Sequence, residues 1–377
     1  MAEDAALASR FRGVVFDLDG VVYLGEEVVE AAPAALDQVR ALGVAVAFVT
    51  NNSYRPPDLV AEKLQRLGVK AAPGEVLTSS QALVRLLGGS AGLDGVRVMV
   101  VGGPGLRGAL EAAGARLVDG SAWREAEVVA VGFDPDLTYA RVRDATLAIR
   151  AGARFVGSNP DTTLPAPDGL WPGAGATLAL LQASTGVRPE VAGKPERALL
   201  DTAAAAIGSG PYLMVGDRAD TDLDGAHRLG WSTALVLSGV TRPADLPDLA
   251  IVPDHLLPDV GGLLDPPGPA VRPAGRADRV LGVGGEDGER RQVAVDGERV
   301  VGAVAVRCVG TDGQLDGPVV DHAWRGRLVG TRLVVAACIR ARAEGLVRVT
   351  APRAGEAFLA RLGFRPARDG ASMVREL

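Results

Sequence analysis

Val14-Val15-Phe16-Asp17-Leu18-Asp19-Gly20 decides the fold: a short apolar run ends abruptly in two carboxylates and a glycine. In extended backbone, residues i and i+2 point to the same side, so Asp17 and Asp19 can face one small volume beyond a strand end. Two anions that close call for a cation. Asp17-Leu18-Asp19-Gly20 alone reads equally well as an acidic turn, because Asp and Gly are ordinary turn residues. The rest of the chain decides between the two.

Working outward, Val44 to Val49 reads as a second buried strand, after a helix with Leu36, Val39 and Leu42 on one face and a stop at Gly43. Another helix follows Pro56-Pro57, with Val60, Leu64 and Leu67 at i, i+4 and i+7. Strands alternating with helices predict an α/β fold, a doubly wound parallel sheet. Strand-like runs at Val96–Val101 and Val128–Val131 belong to a second β/α stretch, and the first sheet resumes with Leu213-Met214-Val215 and Thr233–Leu237. The predicted core is therefore 1–80 with 181–262, and 81–180 is an insertion. The Gly- and Pro-rich segment 263–276 reads as a linker, and 277–377 as a separate domain.

With 377 residues, 47% hydrophobic and 23% charged, the chain is a globular protein of two or three domains. A net charge of -6, with no basic run interleaved with aromatics, excludes a nucleic-acid partner. Two cysteines, Cys308 and Cys338, make no disulfide framework and fit a reducing cytoplasm. The start Met1-Ala2-Glu3-Asp4 leads into no signal-like core, and no stretch of about 18 apolar residues occurs, so neither export nor a membrane is expected. Of 40 basic residues only Lys63, Lys70 and Lys194 are lysines, which makes each worth inspecting.

Three further motifs follow predicted strands or open helices. Thr50-Asn51-Asn52-Ser53 offers a hydroxyl and two amides, Gly193-Lys194-Pro195 puts a lysine at a helix start, and Gly216-Asp217-Arg218-Ala219-Asp220-Thr221-Asp222 is again acidic. Each alone reads as a cap, a turn or solvated surface. Together they hold what phosphoryl transfer through a carboxylate requires: a nucleophile, a cation site, neutralising donors and a proton shuttle. At the carboxyl ends of parallel strands such residues converge on one crevice.

The ordered set Asp-x-Asp-Gly, Thr-Asn-Asn, Lys-Pro and Gly-Asp-x-x-x-Thr-Asp, over residues 10–260, resembles the haloacid dehalogenase (HAD) superfamily of aspartyl-phosphate phosphatases. With the insertion and Pro172-Gly173-Ala174-Gly175 at its exit, it resembles the class IIA branch. The resemblance implies that Asp17 is the nucleophile and that Asp19 protonates the leaving alcohol and then activates water. It further implies that Thr50, Asn51 and Asn52 hold the phosphoryl oxygens and that Lys194 offsets their charge. Mg²⁺ would be bound by Asp17, the Asp19 carbonyl and Asp217, with Asp222 outside the direct ligands. Anions crowding Asp19 are expected to delay its ionisation. Asp19 favours a phosphatase over a dehalogenase, and hydrolysis over phosphotransfer rests on the family branch.

In that family the insertion is a cap that selects substrate, and its candidate loop here is Ser158 to Trp171, with Asn159, Asp161, Thr162 and Thr163. The same residues read equally as braces of the cap hinge. No arginine cluster marks a second phosphate site and aromatics are only 4%, so a small, polar, singly phosphorylated substrate is expected. The C-terminal stretches Trp324–Thr331 and Ala357–Phe364 resemble the GNAT acetyltransferase fold, as a truncated α+β domain. The first looks like the loop that binds the coenzyme A pyrophosphate, but Leu328 stands where that family places its middle glycine, and the acceptor segment is missing. The whole layout resembles the actinobacterial D,L-glycerol-3-phosphate phosphatases, which implies glycerol 3-phosphate as substrate; phosphoglycolate, pyridoxal phosphate and aryl phosphates stay open. Cap-mediated homo-oligomers would follow from the same resemblance. The competing reading of another class, an acetyltransferase or CoA-sensing protein with a vestigial phosphatase half, is opposed by the intact Asp17, Asp19, Lys194 and Asp217.

Overall fold

The computed structural model describes residues 5–89, 91–166, 168–275, 278, 283 and 289–377. The acidic start Met1-Ala2-Glu3-Asp4 and the expected boundary at 276 and 277 lie outside them. The chain divides into two compact units. One takes Ala8–Met214 and Gly225–Trp231; the other takes Val215–Asp224, Ser232–Leu377 and the segment ending at Leu7.

In the first unit the strands Gly13–Phe16, Ala45–Thr50 and Val76–Thr78 lie parallel, with Val14 opposite Val46 and Val49 opposite Leu77. All four residues of Gly13–Phe16 are buried, as a strand covered on both faces requires. The helix Ala32–Ala41 buries Leu36 and Val39 as expected, whereas Leu42 is exposed. It caps the helix, and Gly43 takes the left-handed conformation at φ 77° that ends it. The next helix is Pro57–Arg66.

After the helix Ser79–Gly88, whose Thr78 and Gln81 form a capping box, the chain builds a second parallel sheet. Its order is Glu190–Val191, Arg154–Gly157, Val128–Val131, Arg97–Val101, Arg116–Val118. The expected return to the first sheet at 181 differs from this, because Glu190 and Val191 still pair with Val156 and Gly157. A two-residue strand carries no readable period. A hairpin, Thr163–Ala166 against Gly169–Pro172, stands apart from that sheet.

The strand Tyr212–Gly216 belongs to a six-stranded sheet. Its order is His255–Leu257, Ser232–Val236, Tyr212–Gly216, Gly13–Phe16, Ala45–Thr50, Val76–Thr78. Gly13–Phe16 thus has a neighbour from the next β/α unit on one side and from far along the chain on the other. The carboxyl end of such a strand is the topological switch point, where open α/β sheets hold their ligands.

The second unit carries a seven-stranded mixed sheet from Ala270–Pro273 through Glu289–Asp296, Arg299–Val309, Asp312–Val320, Arg348–Pro352 and Ser372–Glu376 to Arg365–Pro366. Ala270–Pro273 falls inside the expected linker but pairs antiparallel with Glu289–Asp296. It is an edge strand, where proline costs no ladder bond. The helix Val329–Ala343 buries Val329, Leu333, Val334 and Cys338. These share one apolar cluster with Leu223, Leu235, Leu246 and Leu256. Among the described residues no helix is long and apolar enough to cross a membrane.

Candidate active site

Asp17 follows the buried strand Gly13–Phe16 and is half-buried. Its Oδ1 accepts from Lys194 Nζ at 2.6 Å, and the Lys194 side chain is buried. Two devices hold that lysine. Gly193 admits no side chain, since a Cβ there would lie 2.5 Å from Asn51 Oδ1 and 2.6 Å from the Ser158 carbonyl. Asn51 brackets the Lys194 backbone, accepting from its N–H at 2.8 Å and donating to its carbonyl at 3.0 Å.

This changes the expected role of the Thr50-Asn51-Asn52 loop. Asn51 Nδ2 donates its hydrogens to the Lys194 carbonyl and to Asp161 Oδ2, 3.0 Å away, so its amide is committed to the scaffold. Asn52 is exposed and its Oδ1 caps the following turn, accepting from Tyr54 and Arg55 N–H. Buried Thr50 accepts from the Asn52 N–H through Oγ1. Of the cap loop, Asn159 donates to the Asn51 carbonyl at 2.7 Å and Asp161 meets the Asn51 amide, so both brace the loop; Thr162 and Thr163 are exposed.

Asp217 stands just past Tyr212–Gly216 and is buried, its Oδ2 accepting from Val240 N–H at 2.6 Å. Thr241 Oγ1 donates to the Asp217 carbonyl, and Gly239 leaves room that a Cβ would close to 2.1 Å from Asp217 Oδ2. Asp222 is buried as well and accepts from Arg218 N–H. Asp17, Asp217 and Asp222 each offer a carboxylate oxygen, and these oxygens lie within 4.8 Å of one another. Asp222, expected outside the direct ligands, belongs to this group of three. Three carboxylates repel one another unless a cation joins them, and an all-oxygen donor set suits a hard divalent ion.

Asp19 lies two residues beyond Asp17. Its surface is exposed, yet enough protein surrounds it that desolvation raises its carboxyl above the ordinary carboxylate range. Lys63, Lys194, a hydrogen bond from Tyr23 and Arg55 pull the other way. Burial, rather than the expected crowd of anions, is the cause. Tyr23 is buried, and desolvation together with Asp19 and Asp17 pushes its phenol upward, so it remains a proton donor. Neither Tyr23 nor Lys63 was marked as a site residue by sequence reasoning.

A cleft of about 540 Å³ opens in the C-terminal region. It is lined by Trp324, Arg325, Leu328, Thr331, Phe358 and Arg361 and holds no acidic side chain. Leu328 caps the helix Val329–Ala343 in the left-handed conformation at φ 58°, and its side chain packs against the apolar cluster of the second unit.

Comparison with known proteins agrees with this division of labour. Residues 14–116 match the haloacid dehalogenase-like hydrolase family, 191–263 a HAD-hydrolase-like family and 287–366 the acetyltransferase (GNAT) domain. An acid sugar phosphatase of Staphylococcus haemolyticus is 35% identical over 252 residues, 66% of this chain and 94% of that protein. A glycerol phosphate phosphatase from Mycobacterium tuberculosis, solved in complex with magnesium, is 32% identical with a TM-score of 0.73, covering 94% of this chain and 98% of that one. A thermostable NPPase from Geobacillus stearothermophilus is 34% identical with a TM-score of 0.61, covering 67% and 97%. A buried lysine on a strand-end aspartate, two more carboxylates beside it and relatives of this extent lead to one statement: the chain belongs to the haloacid dehalogenase-like hydrolases, as a class IIA phosphatase that carries a GNAT-like C-terminal domain.

Proposed function

We propose that the chain is a Mg²⁺-dependent phosphatase that hydrolyses a small phosphomonoester, glycerol 3-phosphate first, through an aspartyl phosphate on Asp17. The observation that carries the reading is the Lys194–Asp17 pair at 2.6 Å beside the carboxylates of Asp217 and Asp222. Asp17 attacks phosphorus, the ester P–O bond breaks, and the leaving oxygen takes the proton of Asp19. Asp19, now a carboxylate, removes a proton from water as that water attacks the acyl phosphate, and inorganic phosphate leaves with Asp17 restored. Lys194 stays protonated and balances the charge on Asp17 and the transferring group. Asp17, Asp217, Asp222 and the Asp19 carbonyl would hold Mg²⁺, which when bound supplies charge neutralisation for the phosphoryl oxygens. The reading places the enzyme in the cytoplasm, consistent with two free cysteines.

Glycerol 3-phosphate is favoured because the similarity to the glycerol phosphate phosphatase spans 94% of this chain and so includes the GNAT-like part, whereas that to the acid sugar phosphatase spans 66%. A kinetic panel of glycerol 3-phosphate, phosphoglycolate, pyridoxal phosphate, a sugar phosphate and p-nitrophenyl phosphate tests it. Glycerol 3-phosphate is expected to give the highest kcat/KM among the alkyl phosphates. A tenfold preference for phosphoglycolate or the sugar phosphate would overturn the substrate assignment.

A further inference from the structure

Lys63 is one of three lysines in the chain, and the catalytic reading leaves it without a task. It lies in the helix Pro57–Arg66 on the buried face with Val60, Ala61 and Leu64, and is only 9% exposed. A lysine near a surface ordinarily carries its ammonium out to water, and burying that charge costs free energy unless it is well paired. Here the ammonium turns inward. It donates to the Gly25 carbonyl at 2.6 Å, pairs with Glu26 at 3.3 Å and lies 3.9 Å from the centre of the Tyr23 ring.

All three partners belong to one small ribbon. Tyr23–Leu24 pairs antiparallel with Glu27–Val28, and two residues per strand are far too few to hold such a ribbon unaided. The ribbon in turn bears on the acid. Tyr23 forms a backbone bridge with Asp19, its carbonyl accepts from Gly20 N–H at 2.7 Å, and its phenol is among the groups that favour the charged Asp19 carboxyl. A continuous path therefore runs from the Lys63 ammonium through the Tyr23 ring to Asp19.

The geometry points to Lys63 as a positioning residue: it pins the Tyr23–Val28 ribbon and, through Tyr23, aims the Asp19 carboxyl at the leaving oxygen of the substrate. This rests on the reading of Asp19 as the group that protonates that oxygen. The assignment has a consequence that loss of stability alone lacks. An alkoxide cannot depart without a proton, whereas p-nitrophenolate can, so misaiming the acid penalises alkyl phosphates selectively.

The test compares kcat/KM, which reports the step that expels the leaving group, on glycerol 3-phosphate and p-nitrophenyl phosphate. Variants are Lys63→Met, Lys63→Arg, Tyr23→Phe and the reference Asp19→Asn. Lys63→Met and Tyr23→Phe are expected to lose about tenfold more on the alkyl than on the aryl ester, a fraction of the roughly 10²- to 10⁴-fold of a whole general acid. Lys63→Arg is expected to recover part of the loss. If Asp19→Asn discriminates between the esters while Lys63→Met and Tyr23→Phe lose equally on both, the assignment is overturned and the acid reading stands. If Asp19→Asn itself loses equally on both, the acid reading fails and this assignment falls with it. Tyr23→Phe removes one oxygen and keeps the ring, so the question is answered even where Lys63→Met does not fold.

Discussion

Two regions of this molecule, the Asp17 crevice and the C-terminal cleft, differ in what has been done with charge. At the Asp17 crevice the ammonium of Lys194 and the carboxylates of Asp217 and Asp222 are buried, and their geometry is fixed by Asn51, Val240 and Thr241. At the C-terminal cleft the cationic groups Arg325 and Arg361 are exposed, and Arg325 donates to the Val320 carbonyl. Both sites lie beside the start of a helix, but only the first holds its charges away from water, where electrostatic attraction is strong enough for catalysis. At the second, Leu328 occupies a left-handed position that costs a non-glycine residue about 1–2 kcal/mol, and an apolar side chain stands where backbone would need to approach an anion. Secondary structure supplies the opportunity for an anion site, and buried, cross-tied charge makes it one.

The largest effect that would break this contrast is at Asp17. Asp17→Asn keeps the volume and removes the nucleophile, so Mg²⁺-dependent phosphate release is expected to fall by more than about a thousandfold. Release at the wild-type rate would remove the crevice from the chemistry. A smaller effect sharpens the other side of the comparison. Calorimetry with acetyl-CoA is expected to give no binding in the low-micromolar range to the wild-type chain, and Leu328→Gly, which clears the helix entry, is expected to raise affinity if anything. Low-micromolar binding by the wild-type protein would make the two sites alike.

The crevice was legible in the sequence because strand-end motifs need only short apolar runs and their order. Asp17, Lys194 and Asp217 could be placed from one-dimensional pattern. What escaped is what depends on distant chain. Asn51 reads as a phosphate donor until its amide is found on Lys194, 143 positions away. Asp222 reads as peripheral until the turn Ala219–Leu223 folds it back beside Asp217. Lys63 stands out in the sequence only as one of three lysines, and nothing near it in the chain gives its task; its burial goes with the Gly25 carbonyl, 38 positions earlier. The edge strand Ala270–Pro273 was hidden because its prolines suit a linker equally well, and only the partner Glu289–Asp296 distinguishes the two.

The apolar cluster that joins Leu235, Leu246 and Leu256 to the helix Val329–Ala343 has a consequence for how the protein is made. Synthesis runs from the amino end, so the leucines leave the ribosome well before the helix that covers them. During that interval the nascent phosphatase half carries an uncovered greasy face, the kind of surface that recruits chaperones or drives aggregation. A chain arrested before Val329 is expected to bind a hydrophobic dye that the finished protein excludes. The GNAT-like domain acts in this sense as the built-in cover of the leucines that precede it.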